Sequence, residues 1–250
     1  MTNENRVRAT AVIPAYNEAD HIERVLRPLS SIPVIQQVIV VDDGSVDDTA
    51  GVVCAYARHD ARVQLVRLPQ NVGKGGALLA GIHASSTDLV VLLDADLLHL
   101  RGAHVEALIA PVWQRRCAMT LGIFENGRQQ TNLSHRLFSF LSGQRCLRWP
   151  AFQRTAALHA SALDDTRWGI EMALNLVAWQ QKLTVQHVPW DGVSHTMRLE
   201  KLPGPRKYWT YVEMWADILR CTATVGFRLW RENGRAPKRP RPVRHMKLSD

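Results

Sequence analysis

The feature that most constrains this chain is a series of short, β-rich apolar runs that alternate with helical patterns between residues 7 and 125. This alternation predicts strand–helix–strand units that build an α/β fold with a mostly parallel central sheet. The predicted strands cover residues 7–13, 38–41, 63–68, 89–93 and 118–124. Helices are expected after Asn17, which is predicted to cap the first of them, from Asp48 or Thr49, after Gly73 and from Ala103.

A polar cluster follows each of the first four predicted strands. In an open parallel sheet, ligands bind outside the carboxyl ends of the strands, so these clusters are expected to meet in one polar rim. The rim is a stronger indication of a binding site than any single cluster, because a lone Asp-x-Asp is more often a turn or a helix cap. In chain order the clusters are PAYNE at 14–18, DDGSVDDT at 42–49, NVGKGG at 71–76 and DAD at 94–96.

The residue types in this rim suit a nucleoside diphosphate and a divalent cation. Asp94 and Asp96 are two residues apart directly after a strand, and carboxylate oxygens suit Mg²⁺ or Mn²⁺. Lys74 lies beside glycines that allow close backbone approach, and it can offset the charge of a diphosphate. Asp42 and Asp43 can accept hydrogen bonds from a base or a ribose.

The segments PAYNE, VVDDGSVDDTA, NVGKGGAL and LLDADL, in this order and spacing, resemble the family-2 glycosyltransferases of GT-A fold, a three-layer architecture. The resemblance is clear over residues 7–125 and looser to about residue 200. It implies that Asp96 of the Asp-x-Asp motif binds the metal ion and that Asp94 lies nearer the ribose and the sugar. It also implies that the nucleotide sugar is bound by Pro14, Ala15, Tyr16, Glu18, Asp42 or Asp43, Lys74 and Ala95.

The later half is similar to a narrower set of soluble members of that family, which includes the glucosyl-3-phosphoglycerate synthases. The similar segments are LSGQR at 141–145, WGIE at 168–171 and GVSH at 192–195. The resemblance implies that Glu171 faces the donor sugar and that His195 completes the metal shell. Arg145 either pairs with a core carboxylate or reaches a donor or acceptor phosphate. Arg167-Trp168-Gly169 replaces the relatives' Gly-Tyr-Gly, so the acceptor is left unassigned.

These observations predict a glycosyltransferase, with hexosyl transfer favoured, that uses a UDP- or GDP-sugar and Mg²⁺ or Mn²⁺. The predicted catalytic residues are Lys74, Asp96 and Glu171, and the predicted metal ligands are Asp96 and His195. One GT-A domain is expected over 1–230, with a nucleotide-sugar-binding half at 7–125 and an acceptor half with C-terminal helices at 126–230. Residues 231–250 are expected to form a basic, disordered tail.

Three alternatives remain open from the sequence. The enzyme could glycosylate a polyprenyl phosphate at a membrane surface, or it could be a nucleotidyltransferase. The third alternative is a non-catalytic nucleic-acid-binding protein that uses the tail. It is the least favoured because the basicity is local: of the net charge of +8, the stretch 228–247 carries +7 while residues 1–227 carry +2. No nucleic-acid partner is therefore expected, and a homodimer is left open.

The remaining predictions concern the second half of the chain and its location. Helices are expected at 133–142, 168–180 and 208–229, with a strand near 185–188. The helix at 208–229 is expected to pack on the sheet, with an interfacial anchor on anionic lipid as the alternative. Neither a signal peptide nor a membrane-spanning run is recognised, which predicts a cytoplasmic protein, and peripheral membrane contact through the tail is left open. The four cysteines form no Cys-x-x-Cys pair and are expected to be buried free thiols.

Overall fold

The computed structural model describes residues 8–125, 142–153, 155 and 169–195, together with individual residues of a helical segment between 216 and 231. The predicted strand–helix alternation is present in the first of these ranges. In chain order the elements are β1 (Ala9–Ala15), α1 (Ile22–Leu29), β2 (Ile35–Asp42), α2 (Thr49–Ala57), β3 (Val63–Arg67), α3 (Gly73–His83), β4 (Leu89–Leu92), β5 (Leu97–Leu98), α4 (Gly102–Trp113), β6 (Met119–Glu125), β7 (Arg145–Arg148), a 3-10 turn (Trp149–Phe152), α5 (Ile170–Gln180), β8 (Val185–Asp191) and β9 (Ser194–His195).

The main sheet has the strand order β3-β2-β1-β4-β7-β6-β8. The pairs β1–β2, β1–β4, β2–β3 and β6–β8 are parallel, whereas β7 runs antiparallel to both β4 and β6. The sequence did not predict β7, nor the small two-stranded sheet that β5 and β9 form. The mostly parallel central sheet is confirmed, and β7 joins its two parallel parts.

Helices cover both faces of the sheet, which gives three layers. One buried cluster packs α1 and α4 against one set of strand side chains, including Ile13 and Val91. A second cluster packs α3 and α5 against the alternate side chains, including Val12 and Leu92. Because successive strand residues point to opposite faces, the near-continuous apolar runs of β1, β2 and β4 are what a sheet covered on both faces requires.

Several local expectations need correction. Asn17 does not cap α1, which begins at Ile22; it adopts a φ of +57° and its side chain accepts a hydrogen bond from the Val46 amide instead. The cysteine prediction is wrong for Cys54, which is exposed, and holds for Cys117 and Cys146, which are buried free thiols. Cys221 lies outside the described residues.

Two elements predicted in the second half of the chain are present in the structure. The predicted strand near 185–188 is the first part of β8, and the predicted helix at 168–180 begins at Ile170. The expected helix at 133–142 lies outside the described residues except for Ser142, which is not helical. The side chain of Trp168 and residues 232–250 also lie outside them. Within the described part of the chain, no helix is both long and apolar enough to cross a membrane.

Candidate active site

The carboxyl ends of β1 and β2 bring the first two polar clusters together. Ala15 pairs with Asp42, and the amide of Asp43 donates a 2.8 Å hydrogen bond to the carbonyl of Ala15. Beyond the strands, the Asn17 amide donates to the Ser45 hydroxyl at 2.9 Å. The end of β1, with Pro14 and Ala15, and the following loop, with Tyr16 and Glu18, therefore lie directly beside the Asp42–Ser45 turn. Tyr16 is 45% exposed at the mouth.

Asp42 and Asp43 have different environments. Asp43 is 3% exposed, and its two carboxylate oxygens accept the amides of Val72 at 2.8 Å and Gly73 at 3.0 Å, so it caps the first turn of α3. Asp42 is fully buried; its Oδ1 accepts the Ser45 amide, and its Oδ2 lies 3.3 Å from Arg67 Nε without hydrogen-bond geometry. Asp43 therefore helps to fix the helix that carries Lys74, and Asp42 keeps the carboxylate oxygen with fewer contacts to the protein.

Lys74, Asp94 and Glu171 form a compact ion-pair network. Lys74 Nζ lies 2.7 Å from Asp94 Oδ1 and 2.8 Å from Glu171 Oε1. The three side chains come from the first turn of α3, the end of β4 and the first turn of α5, and they are 19%, 26% and 12% exposed. The network therefore joins the two halves of the chain at the sheet edge that the sequence predicted.

The charges in this network support one another. Burial by itself lowers the pKa of Lys74, but the Coulombic attraction of Asp94 and Glu171 outweighs it, so its pKa is raised. Burial by itself raises the pKa of Asp94, but the charge of Lys74 and the hydrogen bonds from Lys74 and Gln144 outweigh it, so its pKa lies below the usual value. Lys74 and Asp94 are therefore both ionised near neutral pH.

Gln144 and Asp94 are joined by two hydrogen bonds that could not be predicted from the sequence. Its Nε2 donates to Asp94 Oδ2 at 2.7 Å, and its Oε1 accepts the Asp94 amide at 3.0 Å. Gly143 explains how the chain comes so close, because a Cβ there would lie 2.7 Å from both Asp94 Oδ2 and Lys74 Nζ. The segment Ser142–Arg145 is thus a wall of the site, and only its motif similarity, LSGQR, pointed to it in the sequence.

Arg145 lies underneath this wall and is fully buried. Its Nε donates to the Ser142 carbonyl at 2.8 Å and its NH1 donates to Asn175 Oδ1 at 2.8 Å. Burial lowers the pKa of Arg145 to about 10, against an opposing effect of the Glu171 and Asp94 charges. The sequence left two roles open for Arg145, pairing with a core carboxylate or reaching a phosphate of the donor or acceptor. Its buried position favours the first of these roles.

The small β5–β9 sheet sets the backbone next to Asp96 opposite His195. Leu97 of β5 is the Cα partner of His195 in β9, so Asp96 is one residue from the residue opposite His195. Both side chains are partly exposed, and the His195 ring packs against buried Phe124 with ring centroids 5.8 Å apart. This short pairing could not be read from the sequence, since two-residue strands have no hydrophobic period.

A carboxylate and an imidazole are a donor set that Mn²⁺ accepts, and Mg²⁺ also uses one or two carboxylates with phosphate oxygens and water. In the described ranges, no group of three or more His, Cys, Asp or Glu side chains is arranged to hold a metal ion. Asp96 and His195 stay the metal ligands predicted from the sequence, and Ala95 is buried between the two aspartates of the motif.

The sequence of this chain is similar to those of several known glycosyltransferases. The sequence is 39% identical over 101 residues to a dolichyl-phosphate beta-glucosyltransferase of Trichomonas vaginalis, a match that covers 37% of this chain and 30% of the relative. It is 36% identical over 107 residues to glucosyl-3-phosphoglycerate synthase of Mycobacterium tuberculosis, covering 41% of this chain and 33% of that protein. It is 36% identical over 103 residues to an undecaprenyl-phosphate 4-deoxy-4-formamido-L-arabinose transferase of Sodalis glossinidius. That match covers 39% of this chain and 32% of the relative. The matches thus span about a third of the length of these relatives.

The fold extends the likeness over most of the chain. The crystal structure of Mycobacterium tuberculosis glucosyl-3-phosphoglycerate synthase with Mn²⁺, UDP-glucose and phosphoglyceric acid superimposes with a TM-score of 0.64. That match covers 88% of this chain and 80% of the other at 21% identity. The architecture is accordingly a GT-A fold, as the sequence predicted.

A family model settles the membership that the motifs indicated. The model described as glycosyl transferase family 2 matches residues 10–164, which is more than half of the chain. The protein belongs to glycosyl transferase family 2. The matched region contains the polar clusters at the ends of β1, β2 and β4, and it ends before Glu171 and His195.

Proposed function

We propose that this protein transfers a sugar from a nucleoside-diphosphate sugar to an acceptor, with a divalent cation held by Asp96 and His195. The observation that carries the proposal is the Lys74–Asp94–Glu171 network at the strand ends, whose Asp94 is two residues from Asp96. It supports the proposal because it combines one cation, which suits a diphosphate, with two carboxylates, which suit sugar hydroxyls. The family relationship and the GT-A fold support the same assignment.

In the proposed reaction the bond between the anomeric carbon and the diphosphate oxygen breaks, and the acceptor oxygen forms a new bond to that carbon. A divalent cation, when bound, supplies Lewis-acid neutralisation of the departing diphosphate. Lys74 adds a second positive charge for the diphosphate, and its pairing with Asp94 and Glu171 keeps it protonated. Asp94 and Glu171 accept hydrogen bonds from sugar hydroxyls and orient the ring. No side chain is assigned as a general base.

The donor contacts are proposed residue by residue. Tyr16, at the exposed mouth of β1, packs against the nucleotide, and Asp42 accepts a hydrogen bond from the base. Glu18, which lies 2.9 Å from His21 and is 14% exposed, lines the same side together with Pro14 and Ala15. Asp43 acts indirectly, since it holds the start of α3 below Lys74. A uridine or guanosine diphosphate is the expected leaving group.

The acceptor is proposed to carry a phosphate group. The three relatives described above are named for a dolichyl phosphate, an undecaprenyl phosphate and a phosphoglycerate, which share that chemistry. Where a phosphate oxygen of the acceptor is the nucleophile, it is already deprotonated at neutral pH, so the reaction does not need a strong base from the protein. The second test below distinguishes an acceptor phosphate on a lipid from one on a small molecule.

The first test is thermal unfolding of the protein with UDP, GDP, ADP or TDP and their sugar conjugates, with and without Mn²⁺ or Mg²⁺. A nucleotide at a hundred times its dissociation constant stabilises the folded state by about 2.7 kcal/mol, which raises the melting temperature measurably. A metal-dependent shift with one nucleotide is expected. No shift with any nucleotide would contradict the proposal.

The second test identifies the product. Protein, metal and the selected nucleotide sugar are incubated with a polyprenyl phosphate in detergent or with phosphoglycerate, and both products are analysed by mass spectrometry. Release of nucleoside diphosphate with a glycosylated acceptor is expected. Release of pyrophosphate would instead identify a nucleotidyltransferase and overturn the proposal.

Replacement of Gln144 by Leu is expected to lower the rate of nucleoside diphosphate release by about tenfold to a hundredfold. Both hydrogen bonds to Asp94 are lost, and a hydrogen bond to a charged group contributes about 1.5–3 kcal/mol. Gln144→Glu is expected to be at least as damaging, because it keeps the acceptor for the Asp94 amide but sets two carboxylates at the 2.7 Å contact. The rate is measured under saturating donor, and thermal melting checks the fold.

The matched control for this prediction is Gln36→Leu, since Gln36 is exposed and contacts only the Pro33 carbonyl among the hydrogen bonds described. It is expected to leave the rate unchanged. A Gln144→Leu protein with the native rate and native donor affinity would show that the orientation of Asp94 does not limit turnover.

A further inference from the structure

The described residues of the C-terminal helical segment expose large apolar side chains. Leu219 is 66% exposed and Phe227 is 59% exposed. Together with exposed Ala223 they are spaced four residues apart, so they form one stripe along the helix. Leu219 was expected to pack on the sheet, and its exposure corrects that expectation. We define this stripe and its neighbouring arginines, over residues 216–231, as the basic apolar helix.

Arginines accompany this stripe, and of these Arg220 and Arg231 are exposed and Arg228 is half-buried. Arg231 lies four residues after Phe227 and continues the line of the stripe. Arg220 and Arg228 directly follow Leu219 and Phe227, so they lie about 100° further round the helix. The chain beyond them continues the charge in sequence. Between residues 232 and 247 there are six Lys or Arg residues and one acidic residue, Glu232.

A lipid surface is the partner that matches both properties. Interfacial helices combine an apolar face with flanking basic residues, because the apolar side chains enter the acyl boundary while the cations meet anionic headgroups. A nucleic acid would use the arginines but would give Leu219 and Phe227 no apolar environment. A second copy of the same helix would bring the arginine rows of like charge together.

We propose that the basic apolar helix docks this protein on the surface of an anionic lipid bilayer. The helix lies in the interface with Leu219, Ala223 and Phe227 toward the acyl chains, and Arg220, Arg228 and Arg231 contact headgroup phosphates. This docking is peripheral. It does not depend on the proposed transferase activity, because it is measured without a donor or an acceptor.

The test is flotation of the full chain with two kinds of vesicles, one of phosphatidylcholine alone and one of phosphatidylcholine and phosphatidylglycerol in equal parts. Binding is expected only to the second kind, and it is expected to weaken as the salt concentration rises. Replacing Arg220, Arg228 and Arg231 by Gln is expected to weaken binding on the order of a hundredfold. The double variant Leu219→Ser with Phe227→Ser is expected to weaken it by at least about tenfold.

Control substitutions elsewhere on the protein surface distinguish docking through this helix from nonspecific adsorption to vesicles. Trp113→Ser with Trp179→Ser removes two large side chains that are 50% and 78% exposed, and Arg24, Arg115 and Arg116→Gln removes three exposed arginines. Both controls are expected to float like the native protein. Thermal melting verifies that every variant is folded.

Three outcomes would overturn the proposal. The first is no binding to the anionic vesicles, or equal binding to both kinds. The second is a loss of binding in the control variants as large as in the helix variants. The third is self-association in sedimentation that the helix variants abolish while vesicle binding stays unchanged, since the helix would then cover a second copy of the chain.

Discussion

Asp96→Asn is expected to lower the metal-dependent rate of nucleoside diphosphate release by about a thousandfold. The substitution keeps the size of the side chain but removes the carboxylate charge that, with His195, is proposed to hold the cation. Because Asp96 is partly exposed at the end of β4 and before β5, its replacement is expected to cost little stability. The affinity for Mn²⁺, followed by its electron paramagnetic resonance signal, should fall in parallel.

The control for this prediction is Glu106→Gln, because Glu106 is an exposed carboxylate on α4. It should retain both the Mn²⁺ affinity and the rate. If Asp96→Asn binds Mn²⁺ as tightly as the native protein and turns over at the native rate, the assignment of Asp96 as metal ligand is wrong.

Lys74→Met is expected to have the second large effect, on stability as well as on rate. Removing the lysine leaves Asp94 and Glu171 without the cation that pairs with both, and breaking a largely buried ion pair costs about 3–5 kcal/mol. The free energy of unfolding, measured by urea denaturation, should fall by about that amount. The rate of diphosphate release should fall by about a hundredfold or more, since the leaving group loses a positive charge.

A double variant separates the two effects. Lys74→Met with Glu171→Gln removes one of the two uncompensated carboxylates, so part of the lost stability should return while the rate stays low. Lys182→Met, a change at an exposed lysine after α5, should alter neither quantity. A Lys74→Met protein as stable as the native one would mean that the carboxylates are held by other groups.

The sequence predicts the N-terminal half of this site well because the relevant information is local. Each cluster follows a continuous apolar run, and parallel strands necessarily bring their carboxyl ends to one edge. Lys74 and Asp94 could therefore be placed at a common rim. Their direct contact, and its extension to Glu171, depended on packing between segments that are distant along the chain.

The parts that the sequence did not predict are those set by tertiary contacts. Strand β7 begins with Arg145, a charged residue that is fully buried, so its pattern is not that of an apolar strand. Gln144 carries no signal of its own, because its role arises only when β7 lies beside β4. Asp43 was expected at the nucleotide, and its two short contacts with the start of α3 depend on the geometry of a turn that residue types alone do not specify.

The position of β7 determines how late in folding the candidate site is completed. This strand is hydrogen-bonded on one side to β4 and on the other to β6, and its partner residues in β4 are far away in sequence. Pairings of this kind have a high contact order, so they are expected to form late in folding. Gln144 and Gly143 precede β7 and reach Asp94 and Lys74 only after it has docked. A chain that has folded β1–β4 alone would thus expose the motif residues without the segment that contacts Asp94, and the proposed nucleotide-sugar recognition would require the completed sheet.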